Sequence, residues 1–301
     1  MPLEVVYHSK IKKGEYMKSR KKIIVFLFLI IALFCIRLYI DHNLIKIMPY
    51  EIVSSEIPST FDGYKILQIS DLHNKDFGEQ IIKKIEKEKA DIIVLTGDMV
   101  SASHVDYTVF LDFAKHLSSK YTVYYIKGNH EGDLEKVNYS VIEDALSLYG
   151  IDILDNEKAT IEKDGEHLNL YGMWCNQRYY SRADIDKEYI IKPETVTKLL
   201  GEADQDEYNI LLMHTPAYFE AYENWGADLV LSGHTHGGLV RLPFLGAVFS
   251  PDRKLFPKYG YGRYEINDTT MIVSSGLSRG DTGFRLFNRP ELVTITLKNK
   301  L

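Results

Sequence analysis

The apolar residues of this chain form one long run near the N-terminus, followed by many short runs at regular intervals. The long run covers residues 23–40, and runs of four or five apolar residues alternate with amphipathic stretches from residue 65 onward. Short continuous apolar runs are typical of buried strands, and amphipathic stretches of about ten residues are typical of surface helices. The first half of the chain therefore predicts parallel strands joined by helices.

The predicted strands of this first half cover residues 65–69, 91–95 and 122–126, and the predicted helices cover 80–88, 107–117 and 140–149. The second half is richer in strands, which are predicted over residues 159–162, 167–171, 210–213, 228–231, 262–266, 271–274 and 292–296. Helices are predicted over 193–201 and 217–224, and residues 174–192 are interpreted as a long polar and aromatic loop. Two stacked sheets flanked by helices fit this order.

The long apolar run is long enough to cross a membrane. As a helix, residues 23–40 would extend roughly 27 Å, close to the hydrocarbon thickness of a bilayer. Residues 1–22 carry a local charge of +5, whereas only Arg37 and Lys46 follow closely. This bias predicts one transmembrane helix with a cytoplasmic N-terminus and the rest of the chain outside the cell membrane. A cleaved signal peptide is the alternative, but no small-x-small cleavage site follows the apolar core.

The expected organisation is a basic cytoplasmic tail over 1–22, a transmembrane anchor over 23–40, a stalk or linker over 41–60 and one domain over 61–301. Residues 41–63 are expected to include a first strand. The net charge of -6 leaves about -11 for the chain after residue 22. An acidic body of this kind argues against nucleic-acid binding, which needs a basic surface. No intramolecular disulfide is expected between Cys35 and Cys175, because Cys35 lies in the apolar segment.

Side chains able to bind metals follow five of the predicted strands directly. They are Asp71, His73, Asp98, Asn129, His130, His214, His234 and His236. Since the carboxyl ends of strands in such sheets are where ligands bind, we expect these side chains to meet at one rim. Carboxylate, amide and imidazole donors suit Mn, Fe, Zn or Ni. On residue type alone, His130 is either a further ligand or a catalytic group.

The spacing of the donors also favours two ions. In extended backbone, residues two apart share a face, so Asp71 with His73, and His234 with His236, would each hold a metal from one side. Seven donors besides His130 are too many for one open catalytic ion, but they fit two ions that share a bridging carboxylate. Two ions about 3.5–4 Å apart can polarise a phosphoryl oxygen and generate hydroxide near neutral pH.

Five sequence motifs, in this order, resemble those of the calcineurin-like metallophosphoesterases over residues 60–300. The motifs are Asp71-x-His73, Gly97-Asp98, Gly128-Asn129-His130-Glu131, an intervening His214 and Gly233-His234-x-His236. Residues 237–243, 274–277 and 285–290 resemble the membrane-anchored bacterial branch called cell-envelope phosphohydrolases. The resemblance implies a four-layer αββα sandwich of two mixed sheets flanked by helices, which the transmembrane helix would precede.

The resemblance also implies roles for the site residues. Asp71, His73 and His236 would hold the first divalent ion, Asp98 would bridge both, and the second would be completed by Asn129, His214 and His234. His130 would hydrogen-bond the phosphate and protonate the leaving group, while a metal-bridging hydroxide attacks phosphorus. The complete ligand set favours an active hydrolase.

The expected substrate is a phosphodiester of a lipid or of the cell envelope, because the anchor holds the site near such molecules. The alternatives are a phosphomonoesterase or nucleotidase, and a metal-bound docking module without activity. Arg241 is interpreted either as a phosphate contact or as the partner of an acid. Glu131 is either a support for His130 or a surface charge, and Trp174, Tyr179 and Tyr180 either line a cleft or pack a loop.

Overall fold

The computed structural model describes residues 3–181, 189–242, 244–250, 255–280 and 283–300. Its helices are α1 (Leu3–Asn43), α2 (Glu79–Glu88), α3 (Thr108–Ser118), α4 (Asn129–Gly132), α5 (Lys136–Leu148), α6 (Arg178–Ser181), α7 (Pro193–Leu200) and α8 (Phe219–Trp225). Its strands are β1 (Lys46–Ser54), β2 (Lys65–Ile69), β3 (Ile92–Thr96), β4 (Thr122–Ile126), β5 (Asp152–Ile153), β6 (Glu157–Lys163), β7 (Glu166–Met173), β8 (Asn209–Met213), β9 (Leu229–Ser232), β10 (Val240–Leu242), β11 (Gly246–Phe249), β12 (Gly262–Ile266), β13 (Thr269–Val273) and β14 (Glu291–Asn299).

The strands form two mixed six-stranded sheets and one hairpin. The first sheet has the order β1-β14-β2-β3-β4-β5, the second has the order β12-β13-β9-β8-β7-β6, and β10 pairs with β11. The strands from β2 to β5 run parallel, as do β7, β8, β9 and β13. The parallel pairs therefore point their carboxyl ends in common directions, where the helix connections begin.

Side chains that alternate along each strand divide the interior into three hydrophobic layers. Ile92 and Val94 pack between the two sheets, whereas Ile93 and Leu95 pack against the outer helices α2, α3 and α5. On the far side of the second sheet, Leu211 and its neighbours pack against α7 and α8. Strands covered on both faces read as continuous apolar runs. The fold is the predicted four-layer αββα sandwich.

The segments that differ from the prediction include the start of α5 and the loop over residues 174–192. Helix α5 begins at Lys136 rather than at residue 140, and the predicted loop 174–192 contains the short helix α6. Residues 182–188 of that loop lie outside the described residues. Strand β1 is the first strand expected within residues 41–63, and it pairs with β14 along nine residues. Because β1 completes the first sheet, we propose that the domain begins near residue 44.

Helix α1 contains an apolar segment, Arg20–Asn43, whose most apolar stretch of 18 residues has a mean hydropathy of 3.0. The most apolar part of this segment buries none of its residues against the rest of the described chain. Its C-terminal end is attached to the domain. Asp41 is fully buried and accepts a hydrogen bond of 2.7 Å from the backbone N–H of Phe287, and Arg289 donates to the carbonyl of Leu44 at 2.9 Å.

Candidate metal centre

The carboxyl ends of five strands bring the predicted donors together. Strands β2, β3 and β4 supply them from the first sheet, and β8 and β9 supply them from the second. Within the described residues, donor atoms less than 4.8 Å from one another form two groups, which are Asp71, His73, Asp98 and His236, and Asp98, His214 and His234. Asp98 belongs to both groups, so one carboxylate lies between two sets of donors.

The distances around Asp98 describe this arrangement. Its Oδ2 atom lies 3.1 Å from Nε2 of His214 and 3.7 Å from Nε2 of His73. In the first group, Nε2 of His236 lies 3.7 Å from Oδ1 of Asp71. In the second group, Oδ1 of Asn129 lies 2.7 Å from Nδ1 of His234, which places the amide beside that group.

The backbone at these residues is in the left-handed region, contrary to the extended geometry assumed from the sequence. The φ angles are +53° at Asp71, +48° at His73, +54° at Asp98, +66° at His234 and +51° at His236. Residues other than glycine seldom adopt this backbone conformation, and those that do cluster at functional sites. Tight turns therefore bring the side chains of Asp71 and His73 together, and likewise those of His234 and His236. The two members of a pair do not share one face of a strand.

Glycines make the close approach of these turns possible. A Cβ at Gly128 would collide with the carboxylate of Asp98, and a Cβ at Gly233 would collide with Oγ of Ser70. Only glycine fits where backbone lies against a side chain this closely. The glycines that precede Asn129 and His234 are thus part of the geometry of the cluster.

Hydrogen bonds on the far side of the imidazole rings set their orientation. Nδ1 of His214 donates to the carbonyl of Thr96 at 2.7 Å, and Nδ1 of His236 donates to the carbonyl of Ser278 at 3.1 Å. Because a carbonyl oxygen only accepts, Nδ1 of each ring carries a proton, and in the neutral form of each ring Nε2 carries the lone pair toward the cluster. Metal-binding histidines are oriented in this way.

Burial and charge set the protonation of the rings in the metal-free cluster. Burial lowers the pKa of His73 and of His236 to about 3, so both rings are neutral at neutral pH. Burial also opposes the charged form of His214, but the negative charge of Asp98 outweighs it and raises the pKa of His214 to about 10. Neutral imidazole is the form that binds a metal, so His214 would lose its second proton when a metal binds.

The cluster also contains buried polar atoms without a protein partner. Among the described residues, Oδ2 of Asp71 and Nε2 of His73 are buried, and neither atom has a hydrogen-bond partner. Buried polar atoms are nearly always paired, and an orphaned pair at one place indicates a missing ion or water. The two donor groups thus fit a pair of divalent cations held by oxygen and imidazole ligands.

His130 lies at the edge of the cluster and belongs to neither donor group. Its ring stands at 87° to that of His73 with 4.6 Å between the ring centroids, and its side chain is half-buried. Nδ1 accepts a hydrogen bond of 3.1 Å from the backbone N–H of Ala102. In the neutral form of this ring the proton is therefore on Nε2, which can donate a hydrogen bond.

Glu131 is a residue whose role the sequence did not identify. It is neither at the surface nor bonded to His130; its carboxylate is buried and accepts hydrogen bonds from four backbone N–H groups, those of Gly128, Asp98, Met99 and Val100. Burial, with the nearby charge of Asp98, raises its pKa to about 7. Glu131 joins the loop after β3 to the loop after β4. The only sequence signal for this role is its place in Gly128-Asn129-His130-Glu131.

The guanidinium of Arg241 contacts two protein side chains. Its guanidinium carbon is 3.4 Å from the ring centroid of Tyr261, and it donates to the side chain of Asn288. Asn288 in turn donates to the carbonyl of His236 at 2.6 Å. The buried Arg285 also donates to backbone carbonyls, including that of Gly276 at 3.2 Å. These side chains hold the segment that carries His236.

Aromatic side chains border the second donor group. Tyr180 is buried with its ring centroid 5.4 Å from that of His234, and Trp174 stacks on Tyr180 at 5.6 Å. Tyr179 packs farther out, against Tyr218 at 6.5 Å. Tyr180 therefore lies beside the cluster, Trp174 packs on Tyr180, and Tyr179 packs within its loop.

Comparisons with known proteins agree on one family for this chain. The family model described as calcineurin-like phosphoesterase matches residues 64–238. The uncharacterized metallophosphoesterase YkuE of Bacillus subtilis is 28% identical over 269 residues, which are 87% of this chain and 88% of that protein. The phosphodiesterase YaeI of Escherichia coli is 27% identical over 78% of this chain and 82% of its own length. The chain spans 66% of the uncharacterized metallophosphoesterase Cj0846 of Campylobacter jejuni, at 27% identity over 86% of this chain.

Proposed function

Because the chain belongs to the calcineurin-like phosphoesterase family, we propose that it is a binuclear metal-dependent phosphodiesterase that acts on a lipid or cell-envelope phosphoester. The observation that carries this proposal is the position of Asp98, which belongs to both donor groups. A carboxylate shared in this way is what a pair of ions requires. The similarity to a protein named phosphodiesterase supports a diester substrate over a monoester.

We assign one ion to Asp71, His73, Asp98 and His236, and the other to Asp98, Asn129, His214 and His234. When bound, such a pair polarises the phosphoryl oxygen and supplies hydroxide from water near neutral pH. The chain's own residues then orient the ester. His130 belongs to neither donor group and presents Nε2 for a hydrogen bond to the phosphate. To protonate the leaving oxygen, the ring would act from its doubly protonated form and become neutral.

We propose that α1 is a single-pass membrane anchor that holds the domain outside the cell, as in the cell-envelope branch. Its apolar segment supports this, because a stretch of 18 residues with a mean hydropathy of 3.0 and no burial against the domain needs an apolar surrounding. The contacts of its C-terminal end also argue against cleavage. Removal of α1 would leave the backbone N–H of Phe287 without the carboxylate of Asp41.

The proposal is tested with the full-length chain purified in detergent. We expect hydrolysis of bis-p-nitrophenyl phosphate that is faster than that of mono-p-nitrophenyl phosphate. Chelation should abolish it, and Mn²⁺ should restore it. Turnover of the monoester alone would support the phosphomonoesterase alternative. Bound metal without hydrolysis of either ester would support the docking module.

A further inference from the structure

Six large apolar side chains are exposed in three short segments between residues 244 and 287. They range from 37% exposed at Phe284 to 108% at Phe244, and we call them the apolar surface: Phe244, Leu245, Leu255, Phe256, Phe284 and Phe287. Scattered exposed apolar residues are normal in proteins, but grouped ones mark interaction sites. Four of the six are phenylalanines, which contribute a large apolar area each.

Backbone hydrogen bonds hold these residues in one place although they are distant in sequence. Phe244 and Leu245 lie between β10 and β11. On one side of this hairpin, the N–H of Phe256 donates to the carbonyl of Val248 at 2.9 Å. On the other side, the N–H of Arg241 donates to the carbonyl of Leu286 at 3.0 Å. The hairpin and its two neighbours thus form one continuous ribbon.

The apolar surface adjoins the end of α1. The guanidinium of Arg37 lies 4.9 Å from the ring centroid of Phe287, and the N–H of Phe287 donates to Asp41. Both Arg37 and Asp41 belong to the C-terminal part of α1, where the apolar segment ends. A membrane crossed by α1 would therefore have its interface beside Phe287.

Positive charge surrounds the same place. Lys75 donates to the carbonyl of His42, and Arg289 donates to the carbonyls of Leu44 and Ile45. Basic and aromatic side chains at the ends of a membrane helix contact lipid phosphates and the headgroup layer. The charge at the end of α1 is therefore complementary to a phospholipid surface.

We propose that the apolar surface inserts into the interface of the bilayer that α1 enters, so that the domain lies on the membrane with its metal centre near the headgroups. This inference rests on the proposed membrane anchor. It extends the proposed function because β10 begins four positions after His236, and Ser278, whose carbonyl bonds His236, precedes Phe284 in the same segment. A lipid phosphoester would reach the cluster from this side.

Tryptophan quenching tests the insertion directly. The full-length Phe244→Trp variant is reconstituted in phosphatidylcholine–phosphatidylglycerol vesicles whose acyl chains carry bromine, and the signal of wild-type protein with its two tryptophans is subtracted. Leu148→Trp is the matched control. Leu148 is also highly exposed, at 83%, but it ends α5 near β5, at the edge of the first sheet opposite β1.

A side chain that dips about 5–10 Å into the interface should be quenched about twofold or more by the bromine, with emission at shorter wavelength. We expect this for Phe244→Trp and not for Leu148→Trp. Equal, water-like emission from both would overturn the inference. Blue-shifted emission from the Phe244→Trp variant that bromine does not quench would also overturn it, because it would indicate a contact with a second copy of the chain.

The result can be separated from the proposed function by assaying the same samples with bis-p-nitrophenyl phosphate, which is soluble. Phe244→Trp should hydrolyse it at the wild-type rate. Metal-dependent hydrolysis without quenching would refute the insertion alone. Quenching without hydrolysis would refute the phosphodiesterase and leave the insertion standing.

Discussion

The buried carboxylate of Glu131 accepts a hydrogen bond of 2.9 Å from the backbone N–H of Asp98, the carboxylate shared by the two donor groups. Three further N–H groups donate to the same carboxylate, so both of its oxygens are used. Glu131 therefore fixes the loop that carries Asp98 without belonging to either group. An acid at the centre of four backbone donors stabilises a turn that would otherwise leave them unpaired.

Glu131→Gln tests this role. The amide nitrogen of glutamine donates and does not accept, so it would face backbone N–H groups that also donate. We expect the free energy of unfolding to fall by about 2 kcal/mol or more, and metal-dependent hydrolysis to fall about 10–100-fold. Thermal denaturation and the diester assay measure these effects. Glu157→Gln, at an exposed position of β6, is the control, and identical behaviour of the two variants would contradict the role.

Asp98→Asn tests the shared carboxylate. Asparagine keeps the shape of the side chain and removes the negative charge that two cations need between them. We expect the bound metal, measured by elemental analysis, to fall from about two ions per chain to at most about one, and hydrolysis to fall to the background rate. Asp164→Asn, at an exposed turn, should change neither quantity. Full metal content in Asp98→Asn would refute a bridging Asp98.

His130→Ala separates catalysis from metal binding. Loss of a general acid should lower hydrolysis of an alkyl phosphodiester about 10²–10⁴-fold. The loss should be smaller for p-nitrophenyl esters, whose leaving group needs no proton. Metal content should equal that of wild type and of the exposed control His104→Ala. A normal rate on the alkyl ester would mean that His130 is not the acid.

Arg241→Met tests whether Arg241 contacts the substrate or the protein. In the structure the guanidinium of Arg241 stacks on the ring of Tyr261 and donates a hydrogen bond to Asn288. We therefore expect a lower melting temperature, since a stacked cation contributes about 0.5–2 kcal/mol, and little change in KM for the diester. The opposite result, a raised KM at an unchanged melting temperature, is what a phosphate contact would produce.

Much of the fold was predictable from the sequence because its strands are short and covered on both faces. The bounds of β2, β4 and β12 are those predicted. The predicted start of α5 was wrong because the first turn of this helix contains exposed residues such as Val137 and shows no apolar periodicity. Strand β1 was expected within residues 41–63, but without bounds, because Pro49 interrupts the pattern. Pro49 lies in an edge strand, where a missing N–H is tolerated.

The residue types of the candidate site were also predictable, since each donor follows an apolar run. The local backbone was not, because nothing in the sequence distinguishes an extended Asp71-Leu72-His73 from one with left-handed residues. The burial of Glu131 likewise depends on two loops from different strands meeting in the fold. Contacts of that range have no local pattern.

The most direct test of the central claim is the metal content of the active enzyme. Full-length protein purified without added metal would be analysed for transition metals while its diester hydrolysis is measured, and then again after graded chelation. The two donor groups around Asp98 predict about two ions per chain, with hydrolysis lost as they are removed. Undiminished hydrolysis by protein that contains no transition metal would contradict the account.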